Sequence, residues 1–243
     1  MSEAASGSMP ILILLFECLG AVLAGVLLGN GGVYFFNKMP GKWFVNDGEE
    51  PDEELLHPTE QRVKSYPWKY IFTMLFVCAG IWLVWSQDWR FALAADLALW
   101  FLLEMAIADI KYRIVPDPLV ILLAVSAVGF INYQFSWRDN LFGALTGFGV
   151  MMVVALLGRL FYRRAVIGGG DVKLFAALGL VCGVSGVLIV MALTALISAA
   201  HFVYLLARKR IKKTDSMPMV PYIAVSAAVY LLFLYGNDLK FLI

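Results

Sequence analysis

The sequence predicts an all-α polytopic membrane protein with about eight transmembrane helices. Of its 243 residues, 61% are hydrophobic and only 15% are charged, which is far more apolar than a soluble domain. The hydrophobic residues are also grouped into runs, and most of these runs approach the ~20 residues that a helix needs to cross a bilayer. Composition and run length together indicate a bundle of membrane-spanning helices.

Eight apolar runs are candidate spans. They are residues 10–36, 68–86, 90–110, 117–134, 140–162, 171–184, 186–207 and 219–235. The stretch 174–207 is too long for one ordinary span, so we predict a break within Cys182-Gly183-Val184-Ser185-Gly186. The predicted organisation is a first transmembrane helix over 1–37, an acidic cytoplasmic loop over 38–67 and a larger transmembrane domain over 68–243.

The distribution of lysine and arginine predicts the orientation of the spans. Of the 19 basic residues, all but Arg90, Arg138 and Lys240 lie in or beside the odd-numbered loops. Because basic residues accumulate in cytoplasmic loops, the odd loops are predicted to face the cytoplasm and both termini the opposite side. Two acidic residues then lie at the same cytoplasmic level. Asp109 ends the third span, and Asp171 begins the sixth.

Asp171 follows three glycines, Gly168 to Gly170, and precedes Lys173. An acidic side chain close to the hydrocarbon region is costly and commonly marks a pathway, a proton relay or a catalytic site. The glycines are expected to permit backbone conformations that other residues avoid and to let an extended chain approach Asp171. The alternative is ordinary capping, in which an acid favours the N-terminus of a helix.

Asp109 is followed by Lys111 and Arg113 and then by Val115-Pro116-Asp117. The alternative to a functional role is an acid at a helix end that pairs with one of these basic residues. Asp96 lies in the same span as Asp109 but roughly 20 Å away along a helix axis. We therefore do not expect Asp96 to join a site at the cytoplasmic end.

Two carboxyl groups within hydrogen-bonding reach cannot both ionise easily, so such a pair holds one proton near neutral pH and titrates as a unit. The ionised member can accept a proton from water while the protonated member polarises a carbonyl group. This is the chemistry of aspartic peptide hydrolysis. Asp109 and Asp171 are the predicted pair.

The sequence predicts neither a metal site nor a disulfide framework. The three cysteines are isolated within apolar runs, at Cys18, Cys78 and Cys182. His57 and His201 have no ligand partners near them in the sequence. The loop over 38–67 is predicted to be a solvated, partly disordered linker, and the alternative is an acidic surface that attracts a basic peptide. Nothing indicates binding to nucleic acid.

At these residues the chain resembles the bacterial type IV prepilin peptidases, membrane aspartic proteases of the GxGD class. In that family a first catalytic aspartate precedes a short basic stretch and an Ile/Val-Pro-Asp element, which Asp109 and Val115-Pro116-Asp117 match. The second catalytic aspartate lies in a Gly-x-Gly-Asp-x-Lys element. This element is matched by Gly168, Gly170, Asp171 and Lys173.

Two further segments extend the likeness over most of the chain. The segment from Gly29 to Pro40 is similar to the end of the family's first span, although Val33 stands where the family has asparagine, and Met217 to Tyr222 is similar to the start of its last span. The resemblance implies that Asp109 and Asp171 are catalytic. The supporting or substrate-binding residues that it implies are Gly168, Gly170, Lys173, Pro116 and Asp117.

The resemblance implies a peptidase of the bacterial inner membrane. It would remove the short basic leader of prepilins or pseudopilins after a glycine, at the cytoplasmic face and without a cofactor. The implied partners are these substrates and the lipid bilayer. The family's second activity is N-methylation of the new amino terminus with S-adenosylmethionine. Many members carry Cys-x-x-Cys pairs in the first cytoplasmic loop, and the loop over 38–67 has no cysteine, so methylation is left open and no structural metal is expected there.

Two other functions are compatible with carboxylates inside a membrane. One is an intramembrane protease of the presenilin or signal-peptide-peptidase type, but those place a tyrosine before the first aspartate, where this chain has Ala108. The other is a proton-coupled transporter, although no internal repeat is visible. Its relay would consist of Asp96, Glu104, Asp109 and Asp171. The sequence assigns no role to Glu17, Asp96 or Glu104 in the peptidase.

Overall fold

The computed structural model describes residues 3–45, 51–56, 58, 60–134, 136–162, 168–210 and 217–236, and these contain helices and no strand. The α-helices in chain order are α1 (Glu3–Lys38), α2 (Glu53–Leu56), α3 (Ser65–Ser86), α4 (Trp89–Tyr112), α5 (Asp117–Ser126), α6 (Trp137–Tyr162), α7 (Gly169–Ala207) and α8 (Val220–Val229). Short 3₁₀ helices occur at Gly41–Phe44 and Ala127–Tyr133, and a π-helical turn, Tyr230–Leu234, continues α8. The prediction of an all-α protein is confirmed.

Five helices in the described part of the chain are long and apolar enough to cross a membrane. They are Ile11–Lys38, Ser65–Ser86, Trp89–Tyr112, Trp137–Phe161 and Gly169–Ala207. Two shorter apolar helices cover Asp117–Tyr133 and Val220–Leu234. The chain is therefore a multi-pass membrane protein, and the count of eight spans stays a prediction.

The predicted break in the long apolar stretch is confirmed at Gly183. This residue has non-helical dihedral angles within α7, with φ 71° and ψ −174°, in the left-handed region that favours glycine. A break in a membrane helix frees main-chain carbonyls that need new donors. The side chains of Asn140 and Gln134 supply them, to the carbonyl oxygens of Leu180 at 2.6 Å and Val181 at 2.8 Å.

The chain divides into two compact units by its packing. The first unit comprises Met1–Pro40 and Asp52–Trp100, and the second comprises Gly41–Pro51 and Phe101–Ile243. The division into 1–37, 38–67 and 68–243 is based on sequence alone and stays a prediction.

In the first unit, α1 packs against α3 through two glycines that are four residues apart. A Cβ atom on Gly25 would lie 2.6 Å from the backbone nitrogen of Val77, and one on Gly29 would overlap the backbone of Thr73. Small residues at this spacing let two membrane helices approach closely. The glycines are therefore required by the packing of α1 on α3.

The end of the loop before α3 is packed onto the C-terminus of α1. Arg62 is only 8% exposed, and its guanidinium donates hydrogen bonds to the main-chain carbonyls of Phe36, Met39 and Leu55. The terminal carbonyls of a helix lack partners within it, and a basic side chain can satisfy them. The expectation of a solvated linker is wrong for this part of the loop. Residues 46–50, 57 and 59 lie outside the described residues.

In the second unit, α6 and α7 also pack through glycines. A Cβ atom on Gly143 would overlap the carbonyl oxygen of Gly179, and one on Gly147 would overlap that of Phe175. Both contacts involve the half of α7 that precedes Gly183. This half begins at the glycine run and carries Asp171 in its first turn, so the packing fixes the helix that carries the second predicted catalytic residue.

Candidate active site

A pocket in the second unit contains both predicted catalytic carboxylates. Its cavity volume is about 420 Å³, and Asp109 and Asp171 both line it. Asp109 comes from the last turn of α4 and Asp171 from the first turn of α7. The two carboxylates are close enough for Asp109 to act electrostatically on Asp171. The two helix ends that the sequence singles out therefore meet in one pocket.

Asp109 is held by the N-terminus of another helix. Its side chain is buried, with 7% of its surface exposed, and its Oδ2 atom accepts a hydrogen bond of 2.9 Å from the backbone N–H of Val220. Val220 is the first residue of α8, and the first N–H groups of a helix have no partner within it. The backbone of Met219 also hydrogen-bonds to this carboxylate, so the main chain at the start of α8 fixes the position of Asp109.

Asp171 is the third residue of α7 and is half-buried. The residue that caps this helix is Gly168, which has no side chain to form a cap, and its carbonyl accepts the backbone N–H of Asp171 at 3.2 Å. An acid in the first turn also interacts favourably with the helix dipole. This interaction explains why an acid stands at the start of α7. It does not explain why a second carboxylate lines the same pocket.

The backbone conformation of the three glycines before Asp171 differs from the one expected. None of them has a positive φ, so the expectation of backbone conformations closed to other residues is wrong. Gly170 is instead required by packing, because a Cβ atom there would lie 2.8 Å from the Cβ of Val115. A Cβ atom on Gly169 would meet nothing within 4 Å, so space beside Asp171 is open.

Two of the predicted supporting residues pair with each other. The Nζ atom of Lys173 lies 2.9 Å and 2.7 Å from the two carboxylate oxygens of Asp117, and both residues line the pocket. Pro116 is the N-cap residue of α5 and is buried, so it sets the position of Asp117 at the start of this helix. Pro116 does not line the pocket, whereas Pro118 does.

Several pocket residues are absent from the sequence-based prediction. Lys42 and Trp43 belong to the 3₁₀ helix Gly41–Phe44 and line the pocket, as does Arg113. Neither Lys42 nor Trp43 lies in a motif, so the sequence contains no signal for them. Val220 lies in the segment Met217 to Tyr222, whose similarity to the family is the one signal that indicates it.

The carboxylates of the proposed proton relay do not all line this pocket. Asp96 and Glu104 are absent from its lining. Glu104 is fully buried, and Asp96 lines a cavity in the first unit. Among the described residues, no group of three or more His, Cys, Asp or Glu side chains could hold a metal ion. His201 accepts or donates a hydrogen bond of 2.6 Å with the hydroxyl of Tyr222, and His57 lies outside the described residues.

The segment of the chain that contains these residues is similar to a known protein family. Residues 97–203 match the type IV leader peptidase family. The predicted resemblance is thereby confirmed. The matched segment includes Asp109, Asp117, Gly168, Gly170, Asp171 and Lys173. No solved structure matches the chain.

Curated relatives agree with this family match. The chain is 29% identical over 178 residues to a prepilin leader peptidase/N-methyltransferase of Xanthomonas campestris pv. campestris, covering 72% of this chain and 60% of the relative. It is 30% identical over 172 residues to a protein of the same name from Bacillus subtilis, covering 68% of this chain and 63% of the relative. A Pseudomonas aeruginosa protein of that name is 30% identical over 174 residues, with coverages of 70% and 58%. The chain thus spans about three fifths of the length of these relatives.

Proposed function

We propose that the chain is a membrane-embedded aspartic endopeptidase that removes the short basic leader of prepilins or pseudopilins after a glycine. The observation that carries this proposal is the pocket that Asp109 and Asp171 share. The family match supports it, because the matched segment contains both carboxylates and the glycine run. The substrate class follows from the names of the relatives, which are prepilin leader peptidases.

The proposed mechanism uses the two carboxyl groups as one unit. The ionised carboxylate takes a proton from a water molecule, whose oxygen attacks the carbonyl carbon of the scissile peptide bond. The protonated carboxyl group donates its proton toward the carbonyl oxygen, and a tetrahedral intermediate forms. The intermediate then breaks its C–N bond, and the leaving amine accepts a proton from the pair. As the C–N bond breaks, a hydroxyl group of the intermediate gives its proton to a carboxylate of the pair and becomes the carbonyl oxygen of the product, so the pair again holds one proton.

The residues around the carboxylates provide a place for an extended substrate. Space at Gly169 is open, so the main chain of a peptide can approach Asp171 there without meeting a side chain. Trp43 provides an apolar wall in the same pocket, which suits the first apolar residues of a pilin helix. The acidic residues of the loop over 38–67 attract the basic leader.

We place the site at the cytoplasmic face of the bacterial inner membrane, with both termini on the opposite side, on the basis of the Lys and Arg distribution. Cysteine labelling in intact cells tests this placement. Labels at Tyr112 should report the cytoplasm, and labels at Asp88 and Asp139 the outside. An exchange between the two groups would contradict the placement. Asn46 and Lys212, which are further predicted cytoplasmic positions, lie outside the described residues.

The direct experiment is a cleavage assay with the full chain in detergent and a purified prepilin. We expect a single cut after the glycine that ends the leader, with no loss of rate when a metal chelator is added. Mass spectrometry of the products locates the cut. A preparation that is folded and monodisperse but leaves the prepilin intact, or that cuts within the mature helix, would contradict the proposal.

A second candidate function is N-methylation of the new amino terminus, because the names of the relatives include N-methyltransferase. One cavity in the first unit favours it, with a volume of about 520 Å³ and polar side chains in its lining. These side chains include Asn30, Tyr34, Gln61, Glu60 and Lys69. Amide and hydroxyl groups can bond an adenosine, a lysine can pair with a carboxylate, and a glutamate can face a sulfonium ion. S-adenosylmethionine, the methyl-donating substrate, contains an adenosine, a carboxylate and a sulfonium ion.

The same assay with labelled S-adenosylmethionine measures methyl transfer separately from cleavage. We expect label on the cleaved pilin, and less of it with Glu60→Gln or Lys69→Met, while cleavage continues. Cleavage without any transfer of label would remove the methylation proposal and leave the peptidase proposal intact.

A further inference from the structure

A cavity in the first unit contains two acidic residues to which the peptidase gives no role. It lies between α1, α3 and the first turns of α4 and has a volume of about 300 Å³. Glu17 and Asp96 line it, together with the aromatic residues Phe16 and Trp89. The rest of the lining is apolar or glycine. The cavity thus combines an apolar interior with two carboxyl groups.

Asp96 is built into the wall of this cavity. Its side chain is 1% exposed, and its Oδ1 atom has no hydrogen-bond partner among the described residues. Its Oδ2 atom packs against Gly80 of α3, where a Cβ atom would lie only 2.7 Å away. The glycine therefore makes room for the carboxyl group, and one oxygen remains without a partner in a cavity that a ligand can fill.

The residues that line the cavity indicate which class of ligand it can bind. A buried carboxylate without a partner is costly, and a cation beside it offsets that cost. Calcium or magnesium would need about six oxygen ligands, whereas this cavity provides two carboxyl groups among apolar side chains. An ammonium group with an apolar body satisfies both features, because aromatic faces and carboxylates both attract it. The guanidinium of Arg90 lies 5.3 Å from the Trp89 ring centre and does not line the cavity.

We propose that this cavity binds an organic ammonium group that is attached to an apolar body. Asp96 is the main counter-ion, Glu17 is the second, and Trp89 and Phe16 contact the apolar part. Two sources can present this group within a bilayer: an aminolipid such as phosphatidylethanolamine, or a free amphiphilic amine.

Equilibrium dialysis of radiolabelled benzyltrimethylammonium against the full chain in dodecyl maltoside tests the site. We expect saturable binding with one probe per chain. Asp96→Asn should weaken binding by about tenfold or more, since it removes one member of a buried charge pair, and Glu17→Gln should weaken it less. Glu104→Gln is the matched control, because Glu104 is a fully buried acid on the same helix that does not line the cavity. Its binding should equal that of the parent chain.

A competition experiment with lipids identifies the source of the ammonium group. Phosphatidylethanolamine added to the micelles should displace the probe if the occupant is an aminolipid, and phosphatidylglycerol should not. Displacement by neither lipid, with the variant effects above, assigns the site to a free amine. Thermal unfolding of each variant checks its fold, and Glu17→Gln keeps the test open if Asp96→Asn does not fold. Any one of three results would overturn the proposal. These are no saturable binding, binding at the level of the parent chain in both Asp96→Asn and Glu17→Gln, and a loss in Glu104→Gln as large as that in Asp96→Asn.

Discussion

The backbone N–H of Val220 donates a hydrogen bond of 2.9 Å to Oδ2 of Asp109. Asp109 lies in the last turn of α4, and Val220 begins α8, so residues 111 positions apart in the chain meet at one carboxylate. The donor is a backbone group at the start of a helix, which every residue except proline at position 220 would leave in place. The segment Met217 to Tyr222 therefore contributes to the candidate site through its main chain.

Removal of this N–H should slow peptide cleavage without unfolding the protein. An ester at position 220, introduced as α-hydroxyvaline, deletes the donor and keeps the side chain. We expect a loss of about tenfold or more in kcat, because hydrogen bonds to charged groups contribute about 1.5–3 kcal/mol. Val220→Ala keeps the donor and is the control for the buried side chain. Equal rates for the ester and the parent chain would show that the bond does not position Asp109.

Substitution of the two neighbouring glycines should have unequal effects. In Gly170→Ala the new methyl group meets Val115, and overpacking of this kind costs about 1–3 kcal/mol. Gly169→Ala adds a methyl group in open space. We expect Gly170→Ala to lower cleavage and thermal stability, and Gly169→Ala to leave stability unchanged. Restoration of activity by Val115→Gly in the Gly170→Ala background would support the packing role, and equal behaviour of the two single variants would contradict it.

The ion pair of Lys173 with Asp117 should matter to activity more than to stability. Their side chains are 54% and 49% exposed, and a pair this exposed contributes at most about 1 kcal/mol to folding. We expect Asp117→Asn and Lys173→Met each to slow cleavage roughly tenfold, because small errors in the position of reacting groups are costly. The melting temperature should barely change.

A reversal of this pair separates positioning from substrate contact. The double variant Asp117→Lys with Lys173→Asp should recover part of the lost activity if the residues act by holding each other. Activity no higher than that of the single variants would indicate that each residue acts independently. Unchanged activity in both single variants would remove the pair from the site.

The sequence predicts those parts of the site that depend on local order. Asp109 and Asp171 are visible because each ends or begins an apolar run, and the break in α7 is visible because the run is too long for one span. Lys42 and Trp43 line the pocket only through tertiary packing, which no local pattern encodes, and Val220 is indicated only by the family-like segment Met217 to Tyr222. The role of Gly170 is misassigned because a glycine required for packing and one required for a positive φ look alike in sequence.

Arg62 is another residue whose environment depends on tertiary structure. A basic residue in a polar loop is expected to be solvated, yet Arg62 is buried against the carbonyls at the end of α1. Arg62→Met should destabilise the protein by about 2 kcal/mol or more, since it removes the hydrogen bonds that the buried guanidinium donates to three main-chain carbonyls. Thermal unfolding in detergent measures this, with exposed Lys64→Met as the control. Equal melting temperatures for the two variants would contradict the capping role.

The cleavage rates of single and double variants at the two carboxylates decide whether Asp109 and Asp171 act as a catalytic pair. Asp109→Asn and Asp171→Asn keep the shape of the side chain but cannot act as a base. Each alone should lower the rate by at least about 10²-fold, the contribution of one positioned acid or base. The double variant should lose little more, because groups that act as a unit are strongly non-additive. Asp96→Asn is the control and should cleave at the parent rate. Full activity in either folded single variant, or complete loss in folded Asp96→Asn, would contradict a catalytic pair at Asp109 and Asp171.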